Sequence, residues 1–316
     1  MELDCHYDKS GAVEALDEVI QGGLAYVAAK EDAAIQHLSA VDLDRLIVKQ
    51  NSTNNKMWHL MSTTPDGSPD CEVVFRVQGI LAAVDLVANH KFTKCKPDRA
   101  AGLSQRVKLI GLDSPLFQNA LRQTLLVHSA FERHFGRSVN SWNVGGETAD
   151  GYISLSSNYF TRSTPSAAAE RHEPADGVDP FGVLQHFEKI GLVHTKENVV
   201  KYFRKYMSKD GVAEIYGAFP GNFRVGDIVE ARGSVTVVSA KNSTLKVHYH
   251  LHSVILHDAR FSKIAEDLRA KVVRRAIVPS VLVRKGEFID EDEDVGQTRK
   301  RLKELAVTDD DSVMTH

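Results

Sequence analysis

The clearest alternation of apolar and polar positions along this chain lies between residues 223 and 256. The stretch F-R-V-G-D-I-V-E-A-R-G-S-V-T-V-V is followed, after a Lys-Asn-Ser turn at 241–243, by L-K-V-H-Y-H-L-H-S-V-I-L. Alternation with a period of two predicts half-buried β-strands. We therefore predict a long β-hairpin in which Gly233 permits a bend or bulge. Two strands of this length are typical of small barrels of the OB type.

Short apolar runs separated by polar residues predict a β-rich N-terminal part. The predicted strands are 24–28, 45–48, 57–61 and 71–77. A central helix is predicted at 116–135, because Ser114 can cap its first turn and Pro115 suits its first position. A last helix is predicted at 261–276 from its apolar spacing.

A pair of short helices is predicted between residues 178 and 207. Asp179 can cap the first of them, Pro180 suits its first turn, and Gly191 can take the left-handed position that ends it. The segment 196–207 can continue as a second helix, although Val200, Tyr202 and Phe203 would also suit a strand. The fold class predicted is α+β, with the helix pair and the hairpin in a barrel-like C-terminal sheet.

Four segments follow from these elements. Residues 1–160 form a β-rich N-terminal domain with the central helix, and the polar, proline-containing stretch 161–177 is a linker or mobile loop. Residues 178–276 form the helix pair and the barrel-like hairpin unit. The mixed-charge tail 277–316 is predicted to be disordered, because it cannot bury enough apolar surface to offset the entropy of ordering.

Composition places the chain among ordinary globular proteins. It has 316 residues, 42% of them hydrophobic and 26% charged, with a formal net charge of −3. Such a charge creates no overall field that would attract nucleic acid or an acidic membrane, so any such contact must be local. Three widely spaced cysteines and no signal-like segment predict a soluble protein of the nucleus or cytoplasm without a cofactor.

Basic residues around the predicted helix pair and hairpin suggest contacts with phosphates. Helix, glycine turn and helix is the outline of a helix-turn-helix, and OB-type barrels often bind single strands through basic grooves and aromatic rings. The candidate nucleic-acid contacts are Lys201, Arg204, Lys205, Arg224, Arg232, Lys246 and Tyr249. The alternative is a solvated basic face on a protein-interaction module, whose exposed apolar or edge-strand surface carries the association.

Three histidines alternate along the second hairpin strand. His248, His250 and His252 fall on one face at steps of roughly 6–7 Å. Neighbours two residues apart can share a zinc ion, but a fourth ligand must come from elsewhere. A metal-dependent enzyme is therefore a third hypothesis, behind the two binding functions. The chain carries no phosphate-binding glycine loop and no nucleophile elbow.

The order of four sequence blocks resembles a known family. They are V-D-P-F-G-V-L-Q-H-F, G-L-V-H-T-K-E-N-V-V-K-Y-F, F-R-V-G-D-I-V-E and L-H-S-V-I-L. This order is similar to that of a lineage-expanded protein family of mushroom-forming (agaricomycete) fungi, from about Leu112 to the tail. The resemblance implies a fungal intracellular protein and supplies no reaction, cofactor or catalytic residue. Where this chain has its three histidines, that family usually carries aliphatic residues and an arginine.

Overall fold

The structure is a computed structural model of the full chain. It describes residues 3, 5–30, 34–52, 54–63, 70–89, 92, 95–141, 144–145, 151–162, 171–208, 213–240 and 244–276. The predicted tail at 277–316 and the hairpin turn at 241–243 lie outside the described residues. Contacts divide the chain into two units, residues 1–269 and residues 270–316. The described part of the second unit, residues 270–276, is helical.

The described residues form five α-helices and fifteen β-strands. The α-helices are α1 Lys9–Lys30, α2 Pro97–Ala100, α3 Pro115–Phe135, α4 Gln185–Glu188 and α5 Arg260–Ala276. The strands are β1 Ile35–His37, β2 Leu46–Gln50, β3 Met57–Ser62, β4 Cys71–Glu72, β5 Val74–Asp85, β6 Ser104–Ile110, β7 Asn140–Ser141, β8 Val144–Gly145, β9 Tyr152–Asn158, β10 Thr161–Arg162, β11 Leu192–Val193, β12 Lys201–Met207, β13 Ala213–Gly217, β14 Ile228–Ser239 and β15 Leu245–Asp258. None of these helices is both long and apolar enough to cross a membrane.

Five of the strands close into a barrel. Going around it, β5 pairs with β6, β6 with β9, β9 with β15, β15 with β14, and β14 again with β5. All these pairings are antiparallel except β9 with β15, which is parallel. Numbered in chain order, the barrel strands therefore run 1-2-3-5-4-1, which is the Greek-key order of an OB fold. The predicted α+β fold with a barrel-like sheet is confirmed.

Two extensions continue the sheet beyond the barrel. On one side β3 pairs with β14 and carries β2 at the edge. On the other side β12 runs parallel to the last part of β15 and forms a hairpin with β13. Thirteen described strands belong to this one sheet, while β10 and β11 form a separate pair.

Apolar side chains from the barrel strands and the central helix form one core. The buried members from the barrel include Val77, Val107, Leu155, Val229 and Leu251. Helix α3 adds Phe117, Val127 and Phe131 to the same cluster. As the sequence predicts, the Ser114 side chain caps α3 by accepting a hydrogen bond from the Phe117 N–H. At the other end of the helix, Gly136 follows in the left-handed conformation. The core thus combines parts of the chain that are far apart in sequence.

The β14–β15 hairpin carries a bulge at Gly233. The strand register shifts between Arg232 and Gly233, which marks a β-bulge. A Cβ atom at Gly233 would lie 2.0 Å from the backbone oxygen of His250, so the two strands approach too closely for any side chain. Of the bend or bulge predicted at this glycine, the structure shows the bulge.

Three sequence predictions are corrected by the fold. Residues 24–28 lie in α1, not in a strand, because Ala12, Leu16 and Ile20 form a buried helical stripe that runs up to them. The second helix of the predicted pair is β12, which gains backbone partners on both sides. The predicted boundary at 161–177 does not separate two cores, since strands from before and after it pair in one sheet.

Candidate nucleic-acid interface

Three of the predicted basic residues lie on one face of the large sheet. Lys201, Ser253, Arg232 and Arg76 are cross-strand neighbours in one row across β12, β15, β14 and β5. Paired residues share a face, and so do residues two apart on a strand, which places Lys205 on this face as well. The structure therefore brings Lys201, Lys205 and Arg232 together.

Arg232 is already paired with a buried carboxylate. Glu230 accepts hydrogen bonds from Arg232 Nε at 2.7 Å, from Arg76 Nε at 2.9 Å, and from Arg76 Nη2 and Gln78 Nε2 at 2.7 Å each. Burial raises the pKa of this carboxyl, but hydrogen bonds from Arg76 and the positive charges of Arg76 and Arg232 outweigh it and hold the pKa of Glu230 at about 2. Arg232, with 33% of its side chain exposed, serves first to neutralise this group.

The remaining predicted contacts are dispersed. Arg224 forms an ion pair with Glu266 of α5. Lys246 lies in the other half of β15, beside Asn140. Tyr249 is 2% exposed, and the centroid of its ring lies 6.0 Å from that of His128 in α3. A ring buried in the core cannot stack on a base, so the prediction that Tyr249 contacts nucleic acid is wrong.

The three histidines line up along β15 without converging on one point. The ring centroids of His248 and His250 are 6.1 Å apart, and those of His250 and His252 are 5.1 Å apart. His250 Nε2 lies 3.2 Å from Ser157 Oγ, and His252 Nε2 lies 3.1 Å from Ser234 Oγ. Burial lowers the pKa of all three imidazoles, and that of His250 falls to about 3. Within the described residues, no group of three metal-binding side chains could hold an ion.

The β12–β13 hairpin presents an open aromatic surface. Arg204 pairs across the hairpin with Tyr216, and the Arg204 guanidinium lies 4.9 Å from the centroid of the Tyr206 ring. The rings of Tyr206 and Tyr216 meet edge to face, with centroids 5.7 Å apart. With Phe219 and Asn222 these three residues line a cavity of about 540 Å³, which we call the hairpin cleft.

Large parts of these aromatic rings are exposed to solvent. Tyr206 is 46% exposed, Tyr216 52% and Phe219 60%. The Tyr216 hydroxyl donates a hydrogen bond to Glu214, which raises the pKa of Tyr216 and keeps the phenol neutral. Flat aromatic faces beside a guanidinium are suited to stack on planar, electron-rich rings such as nucleobases.

The sequence predicted Arg204 but missed the aromatic part of the cleft. The sequence favours a helix for the segment that contains Tyr206, although a strand also suits it, and on a helix Arg204 and Tyr206 do not face each other. In a strand they share a face, and the five-residue strand A-E-I-Y-G then places Tyr216 opposite. The aromatic residues in K-Y-F-R-K-Y-M, which favour strands, were the signal that could have revealed the pair.

Comparisons with known proteins place these features in context. No protein-family model matches the chain and no curated protein matches it, so the fungal resemblance stays a prediction. The solved structures similar to it include gp2.5, a single-stranded DNA-binding protein encoded by bacteriophage T7, which is 11% identical. That match covers 58% of this chain and 86% of the phage protein, with a TM-score of 0.31.

A second similar structure is the single-stranded DNA-binding protein from bacteriophage Enc34, in a C-terminally truncated form. It is 8% identical, and the match covers 69% of this chain and 98% of that one, with a TM-score of 0.28. At these identities and TM-scores the likeness carries no argument about function.

Proposed function

We propose that this protein binds single-stranded nucleic acid through the hairpin cleft and does so without catalysis. The observation that supports the proposal is the exposed pair of rings, Tyr206 and Tyr216, beside the Arg204 guanidinium. Stacking of one base on an aromatic side chain contributes about 1–3 kcal/mol. The Arg204 guanidinium supplies positive charge for a phosphate within the cleft, and Lys201 and Lys205 add positive charge on the opposite face of the same strand.

The geometry favours single strands over duplexes. In a duplex the faces of the bases are covered by their neighbours, so Tyr206 and Tyr216 could reach only unpaired bases. Every base has such a face, and we therefore expect weak sequence preference. Since the net charge of the chain is −3, attraction to phosphates is local to this strand. As part of the same proposal, the protein acts in the nucleus or cytoplasm.

The test is fluorescence anisotropy with labelled single- and double-stranded oligonucleotides of equal length. We expect saturable binding to the single strand that weakens between about 50 and 200 mM salt, because each phosphate contact releases counterions. The double variant Tyr206→Ala and Tyr216→Ala should weaken binding at both salt concentrations, whereas Arg204→Gln should also reduce the salt dependence.

The control is Arg133→Gln on α3, which removes one exposed positive charge away from the cleft. This variant should bind as the unmodified protein does. Flat anisotropy traces with every oligonucleotide, or equal losses in Arg133→Gln and Arg204→Gln, would exclude the proposed site.

A second candidate function is self-association through β13. This strand ends the large sheet as far as the chain is described, all five of its residues are exposed, and it carries no lysine, proline or bulge that would block pairing. Ile215 is 53% exposed there. Analytical ultracentrifugation should then show dimers that Ile215→Lys abolishes and that Ile264→Lys, on α5, leaves intact. A monomer at all concentrations removes this candidate.

A further inference from the structure

Phe219 lines two neighbouring cavities. One is the hairpin cleft of about 540 Å³, which contains Arg204 and Tyr216. The other is a cavity of about 410 Å³, which contains Lys201 and Asp176. Both cavities are lined by Phe219, whose side chain is 60% exposed. The ring therefore forms a wall that two adjacent ligand groups could share.

The backbone of Phe219 is held by the turn that follows it. Its N–H donates to Asn222 Oδ1 at 3.0 Å, and the Asn222 N–H donates back to the Phe219 oxygen at 2.9 Å. Gly177, with φ at +78°, lies against the ring, and a Cβ atom there would come within 3.2 Å of Phe219 Cδ1. A fixed and exposed aromatic ring loses little side-chain entropy when a ligand packs against it.

The two cavities offer similar chemistry to a ligand with a repeating unit. Each contains one basic side chain, Arg204 or Lys201, next to the shared ring. Each also contains a carboxylate, Glu214 or Asp176, and a carboxylate can accept a hydrogen bond from the exocyclic amine of a base. Both volumes exceed what a nucleobase occupies. Each cavity thus offers an aromatic ring, a cation and a carboxylate acceptor. Two such sets side by side match the bases and phosphates of two successive nucleotides.

We propose that Phe219 separates two consecutive nucleotides of a bound single strand, with one base in each cavity and the phenyl ring between them. The inference rests on the proposed function and adds the position of the strand. A ring placed between two bases doubles their stacking distance of about 3.4 Å. One extended nucleotide step spans that distance, so adjacent bases are parted while the backbone stays continuous.

The test uses single-stranded oligonucleotides with two adjacent 2-aminopurines, whose circular dichroism couplet reports that the two rings are stacked. Saturating protein should abolish the couplet. Phe219→Ala should retain the couplet in the complex and weaken binding about ten-fold. Phe219→Tyr, which keeps an aromatic ring, should behave as the unmodified protein, and so should Phe181→Ala, which removes an exposed phenyl group elsewhere.

The outcomes separate this inference from the function on which it rests. If the strand binds but the couplet persists, or if Phe219→Ala binds with unchanged affinity, the position of the strand is wrong and the binding function stands. If no single strand binds at any salt concentration, both proposals fail.

Discussion

Buried neutral histidines should make this protein sensitive to mild acid. Burial lowers the pKa of His250 from 6.5 to about 3 and the pKa of His257 from 6.5 to about 4. In the unfolded chain both imidazoles regain a pKa near 6.5 and take up protons below it, whereas in the folded protein they stay neutral. A lowered folded-state pKa therefore contributes stability that is fully present above pH 6.5 and is lost as the pH falls towards 4 and 3.

The loss can be calculated from these values. At pH 5.0 the protonation of one unfolded-state histidine of pKa 6.5 lowers the free energy of unfolding by ~2 kcal/mol, as long as the folded-state pKa lies well below 5. His250 and His257 together give ~4 kcal/mol, a large part of the 5–15 kcal/mol typical of a folded domain. Other buried histidines, among them His37 and His194, also have lowered pKa values and add to this figure.

The assay is urea denaturation, followed by circular dichroism, between pH 7.5 and pH 5.0. We expect the free energy of unfolding to fall by at least ~4 kcal/mol across this range. His250→Gln should remove ~2 kcal/mol of that fall, because glutamine does not titrate. His186→Gln, at an exposed position, is the control and should leave the fall unchanged. A stability that is equal at both ends of the range, or a fall unaffected by His250→Gln, would refute the reasoning.

Two further substitutions test the barrel itself. Glu230→Gln leaves Arg76 buried without its counter-charge and should lower the free energy of unfolding by about 3–5 kcal/mol in urea titrations, while the exposed Glu197→Gln should change it little. Equal stabilities would mean that the ion pairs do not support the fold. Gly233→Val adds a Cβ atom that would lie 2.0 Å from the backbone oxygen of His250. We therefore expect this variant to lose the cooperative thermal transition. A variant that melts as the unmodified protein does would show that the strands are not this close.

Local sequence signals were enough to predict several secondary-structure elements. The cap at Ser114 marks the start of α3 within a residue, because it acts through a hydrogen bond to an immediate neighbour. The alternation at 223–256 predicted the β14–β15 hairpin for the same reason, since its partners are joined by a short turn. The alternating histidines were placed on β15, although their spacing could not show that serines contact two of them.

Other features depend on partners that lie far away in the chain. The segment 201–207 suits a helix or a strand by pattern alone, and it is a strand because β15 and β13 provide backbone partners on both sides. Closure of the barrel brings Arg76 to Glu230, which are 154 positions apart. Such pairings determine which polar residues are buried and which aromatic rings stay exposed.

The candidate site illustrates this division between local and distant interactions. Local composition identified Arg204 and the basic residues beside it as possible phosphate contacts. The cleft arises only when β13 folds back on β12 and the turn at Pro220–Asn222 brings Phe219 beside Arg204 and Tyr216. Short-range hydrogen bonds and periodic burial can be deduced from the order of residues, but a surface built from several segments depends on how the whole sheet closes and packs.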